Sequence, residues 1–133
     1  MAGINLFYNF SNPYDEQRKQ KQARKDALIK KNYDEIYAHE MAHKQAGGSL
    51  AGSIVIEKNA DGIPVGGHVD IKMPSLDSKN PQKTINDADI VIRSAMAPSD
   101  PSDQDYKVAA QARAIKMQAL QNKNTGKLLD INA

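Results

Sequence analysis

The chain has no cysteine and no tryptophan, and only two phenylalanines in 133 residues. Without thiols there is no disulfide, no thiolate ligand and no cysteine nucleophile. Any metal must therefore be held by histidine, carboxylate or backbone oxygen. Aromatics make up 5% of the residues, so the core has to be built from aliphatic side chains and alanine, and should be modest for this length. No apolar run approaches the roughly 20 residues that a membrane span needs. The stretch from Met1 to Phe10 is briefly apolar, but the basic cluster follows it, the reverse of a secretory leader. A cytoplasmic location is the expectation.

What is present is polar and charged: 26% Asp, Glu, Lys and Arg, with a mean hydropathy of -0.64. The net charge of +2 conceals an asymmetry, because residues 1–32 hold seven Lys/Arg against three Asp/Glu and the remainder eleven against thirteen. The densest cluster is Arg18, Lys19, Lys21, Arg24, Lys25, Lys30 and Lys31. A run of this kind could touch nucleic acid or an anionic surface, although it reads first as a solvated helix face. No aromatic residues are interleaved for base stacking, so a nucleic-acid partner is not expected.

From Tyr14 to Ala46 there is neither proline nor glycine, and helix formers dominate. This predicts one long helix or two consecutive ones, stopped by Gly47-Gly48. Its first half should dock lightly. Its second half, with Ile36, Tyr37, Met41 and Ala42, should be packed. Residues 53–73 read as a β-hairpin turning at Asn59-Ala60-Asp61-Gly62. Asn80-Pro81 caps a further helix carrying Ile85, Ala88, Ile92, Ala95 and Met96 on one face. A Ser/Asp-rich turn, 98–105, leads into a last helix carrying Val108, Ala109, Ala112, Ile115 and Ala119. The fold class is α+β: a long motif-bearing helix, a small hairpin and two C-terminal helices. The expected organisation is an irregular start and a basic, mostly helical arm over 1–33, a domain over 34–121, and a flexible tail over 122–133.

The chemistry lies in His39-Glu40-Met41-Ala42-His43, an HExxH motif inside the predicted helix. Residues four apart share a helix face one turn apart, so the two imidazoles can converge on one zinc ion. Glu40 then stands beside the bound water as general base. Tetrahedral zinc needs one more protein ligand. The remaining histidine, His68, is the leading candidate, with Asp70, Glu57 and Asp61 as carboxylate alternatives. Asp70 also suits the role of accepting an N–H from a metal-bound imidazole. Strand alternation places His68 and Asp70 opposite Val65, Val69 and Ile71, so a helix packed on the apolar face would find His68 pointing away, unless Gly66-Gly67 breaks the alternation. The metzincin spacing is excluded, because Ser49 stands where the third histidine would be.

Four ordered blocks carry a resemblance: Ala38 to Gly48, Asp61-Gly62, Val65 to Val69, and Ala95 to Asp105 running into Val108-Ala109-Ala110. Together they resemble the SprA-related family of bacterial metallopeptidases from Tyr37 to Leu120, with His68 standing where that family typically has Glu. The resemblance implies a minimal zincin-like peptidase without identifying its substrate. Asp100, Asp103 and Asp105 lack the EF-hand pattern and read as caps and first-turn charges at a helix N-terminus, with packing against the motif helix as a further role. Tyr106 and Lys107 are candidate oxyanion donors.

The expected activity is zinc-dependent hydrolysis of a peptide or protein substrate, with Zn2+ on His39, His43 and His68 and Glu40 as base. The alternatives are a non-catalytic metal-binding or protein-interaction module and, more distantly, an anionic-surface binder working through the arm.

Overall fold

A computed structural model describes residues 12–132, with side chains through residue 126. The expected irregular start lies outside the described residues up to residue 11. Helix α1 runs unbroken over Pro13–Gly47. Asn12 caps it by accepting the Tyr14 N–H at 3.0 Å, Pro13 occupies the first turn, and Asp15 and Glu16 place negative charge at the positive end of the helix dipole. At the far end Gly48, with φ of 53°, bonds back to the Lys44 carbonyl. A left-handed residue of this kind suits glycine and stops the helix.

A short 3-10 turn, Gly48–Leu50, leads into strands β1 (Ala51–Lys58) and β2 (Pro64–Ile71), which pair antiparallel as a two-stranded sheet. Asn59 closes the connection: its side-chain oxygen accepts the N–H groups of Asp61 and Ile63, and Gly62 supplies the positive φ. Helix α2 spans Pro81–Ala95, capped as expected by Asn80 with proline at its start. Helix α3 spans Asp103–Asn132.

The outline follows the sequence reading, and four local features differ from it. The segment expected to be a loose tail continues α3 as far as Asn132. Tyr37 is 39% exposed and stacks on Tyr33 rather than joining the core. Val65 does not share the buried face with Val69 and Ile71; it is 63% exposed. Glu57 pairs Gly66 while Lys58 pairs Pro64, so Val65 is the extra residue of a bulge, which reverses the alternation there. On α2, Val91 is fully buried with Ile85, Ala88 and Ala95, while Ile92 and Met96 are only half-buried.

The apolar core lies between α2 and α3, where alanines (Ala88, Ala95, Ala109, Ala112 and Ala119) let the two helices approach closely. They run antiparallel, tied by Lys116 to Asp89 at 2.7 Å and Lys123 to Gln82 at 2.6 Å. The second half of α1 packs between the hairpin and α2. What α1 buries is Glu40, His43 and Gly47, the polar motif and a glycine rather than an apolar stripe.

Candidate metal centre

The motif helix can lie against the hairpin because β2 has glycine where the two meet. A Cβ on Gly67 would stand 2.7 Å from Ile36 Cγ2, 2.9 Å from the Val55 carbonyl oxygen and 3.1 Å from Glu40 Cγ. Gly47 allows a second close approach, with Ser94 Oγ 3.1 Å from where its Cβ would be. These contacts set the second half of α1 as the floor of a cleft of about 470 Å³. Strand residues 67–71 form one wall and the start of α3 the other.

On that floor His39 Nε2 and His43 Nε2 are 3.1 Å apart. The Nδ1 partner fixes the tautomer of His43. His43 Nδ1 lies 2.7 Å from the Ser94 carbonyl oxygen, which can only accept, so Nδ1 is the donor and His43 Nε2 turns its lone pair into the cleft. His39 meets a carboxylate oxygen at each ring nitrogen, Asp100 Oδ1 at 3.3 Å from Nδ1 and Asp105 Oδ2 at 3.3 Å from Nε2. Ser94 grips His43 twice, since its hydroxyl also donates to the His43 carbonyl at 2.7 Å. The expectation that Asp70 would orient a histidine is therefore replaced: Ser94 and Asp100 do so, and Asp70 only lines the cleft.

Glu40 is 6% exposed and, among the described residues, joins His39 and His43 in a group whose ligand atoms all lie within 4.8 Å of one another. Burial pushes its carboxyl above the ordinary range, against the opposing pull of the His43, His39 and His68 imidazoles.

His68 lines the same cleft but stands outside that group. It pairs with Val55 on the exposed face of the hairpin, and its Nδ1 is 3.0 Å from Glu57 Oε1. The alternation that set it apart from the helix-facing residues holds at this point, and the bulge at Val65 lies nearer the start of the strand. Of the carboxylate alternatives, Glu57 is engaged by His68 and Asp61 sits in the hairpin turn. Tyr106 is 52% exposed, and neither it nor Lys107 contributes to the cleft wall.

A residue read as a helix-capping charge, with packing against the motif helix as a further role, enters the site itself. Asp105 Oδ1 lies 3.2 Å from His43 Nε2, and its Oδ2 lies 3.3 Å from His39 Nε2. The capping role is real as well: the Ser102 N–H donates to Asp105 Oδ2 at 2.8 Å, and the Asp105 N–H donates to Ser102 Oγ at 3.1 Å, a reciprocal capping box. The Ser102-x-x-Asp105 spacing signals the cap in the sequence. Only the packing of α3 shows that the same carboxylate faces two imidazoles more than 60 positions earlier.

No curated protein and no solved structure matches the chain. The family model described as the SprA-related family matches residues 11–127, reaching back through the basic first half of α1 that the motif blocks left uncovered, and on that span the chain belongs to the SprA-related family.

Proposed function

We propose that the chain is a zinc-dependent metallopeptidase whose ion is held by His39 and His43, with Glu40 as general base. The observation that carries this reading is the pair of Nε2 atoms 3.1 Å apart beside a buried carboxylate. Two ligand atoms on a tetrahedral zinc, each about 2.0–2.1 Å from it, lie roughly 3.3–3.4 Å apart. The imidazole pair thus fits such an ion closely, and neutral imidazole is a preferred zinc ligand.

When bound, zinc supplies Lewis acidity, polarising a scissile carbonyl and making water easier to deprotonate. Glu40 is placed to take the proton from the attacking water as the carbon–oxygen bond forms. It can return that proton to the leaving nitrogen as the carbon–nitrogen bond breaks. Its raised affinity for protons, caused by burial, suits both transfers. Among the described residues β2 pairs only with β1, and residues 67–71 border the cleft, so an extended peptide could add to that free edge. His39 is 21% exposed within an open cleft. This favours catalysis over a closed structural site, which would leave no position for water.

The test is metal analysis of wild type and Glu40→Gln after zinc loading, together with hydrolysis of unfolded casein. Zinc retained in both, with hydrolysis falling by about 10²–10⁴-fold in the variant, supports the reading. Wild type that takes up no zinc overturns it.

A further inference from the structure

We propose that Asp105, and not His68, is the third protein ligand of this centre. The proposal rests on the reading of His39 and His43 as ligands, and it moves the remaining corner from the hairpin to the first turn of α3.

Three separations carry it. The imidazole nitrogens are 3.1 Å apart, and the Asp105 carboxylate lies 3.2 Å from one and 3.3 Å from the other. Oδ1 faces His43 and Oδ2 faces His39, so the carboxylate spans the imidazole pair at separations close to the roughly 3.3–3.4 Å between neighbouring ligand atoms on zinc. The His43 contact points the same way. Its Nδ1 is committed as a donor to the Ser94 carbonyl, so its Nε2 presents a lone pair toward Asp105 Oδ1 at 3.2 Å. A divalent cation between them would satisfy the His43 lone pair, His39 Nε2 and the carboxylate together.

Asp105 is also held as a ligand should be. Its side chain is 16% exposed, and one carboxylate oxygen accepts the Ser102 N–H at 2.8 Å. That bond fixes its orientation before any ion arrives. His68 contrasts in its setting: its side chain is 47% exposed and its Nδ1 is engaged by Glu57. It remains in the cleft wall, where it can meet substrate rather than metal.

The experiment measures zinc stoichiometry and affinity of the full chain by chelator competition, with cobalt(II) absorption as a second readout of coordination. Circular dichroism confirms that each variant folds. Asp105→Ala should weaken zinc by more than the roughly 10–100-fold that an outer-shell partner costs, and should alter the cobalt spectrum. Asp105→Asn keeps an acceptor for the Ser102 N–H and removes the charge, so it should lose affinity even if Asp105→Ala fails to fold. Ser102→Ala should cost less than either. His68→Ala should stay within about threefold of wild type, with an unchanged spectrum. If His68→Ala releases the metal and the Asp105 variants keep it, the assignment of Asp105 is wrong while the histidine pair stands. If His39→Ala binds zinc as tightly as wild type, the metal centre itself is misplaced.

Discussion

The two halves of α1 are one continuous helix under opposite demands. Between Pro13 and Asp34 most side chains are exposed, and charges are balanced by neighbours three or four residues away, as with Arg18 and Asp15, or Lys30 and Asp34 at 2.6 Å. From Ile36 to Gly47 the helix buries a carboxylate and an imidazole against the hairpin and α2. The first half is held by local propensity and capping. The second is held by tertiary contacts to groups that would rather be in water. Burying polar groups at such a cost, with each Nδ1 provided with a partner, is what the proposed metal chemistry would require of this segment.

Several substitutions sharpen that contrast. The largest expected effect is from His43→Ala, which leaves the Ser94 carbonyl without its 2.7 Å donor and removes a proposed ligand. It should abolish tight zinc binding and lower unfolding free energy by about 1–3 kcal/mol in urea titrations. Next is Gly67→Ala, whose Cβ would collide with Ile36 and the Val55 carbonyl. Overpacking of this kind should cost about 1–3 kcal/mol and reduce hydrolysis as β2 is pushed off the motif helix. Retained stability would show that the strand can shift freely.

A smaller effect has a definite sign. Because burial raises the Glu40 carboxyl above its ordinary value of 4.5, folding favours its protonated form. The stability it contributes is full below that value and is lost as pH rises through the folded-state value. In chelator, Glu40→Gln should therefore melt higher than wild type at neutral pH, and the two melting curves should converge as pH falls below 4.5. The smallest effect belongs to the first half of α1. Lys30→Ala should leave the melting temperature unchanged at low and high salt, since an exposed pair four residues apart contributes little. A clear loss there would mean that the two halves are not so different.

What could be read from the sequence follows the range of the forces involved. The HExxH pair, the cap at Asn80 and the turn at Asn59 are short-range features, and they are visible in the residues themselves. The exposure of Val65 depends on a bulge that no alternation pattern contains. Tyr37 looked like core because it is aromatic on a helix, yet it finds Tyr33 one turn earlier instead. Asp105 is the sharpest case. Its cap is local, whereas its contact with His39 and His43 depends on how α3 is carried by α2. Among the described residues no helix is long and apolar enough to cross a membrane, in line with the absence of a long apolar run.

The capping box at Ser102 and Asp105 has a consequence for motion. Helix α3 rests mainly along α2 and meets α1 at the cleft through this carboxylate. An ion gripped from both sides would act as a clasp between two otherwise separate helical layers. Chelation should then free the first turn of α3, with backbone amides near 103–108 exchanging with deuterated solvent faster than those around Ala112 and Ala119. Occupancy of the centre could thus be followed in a protein that has met no substrate at all.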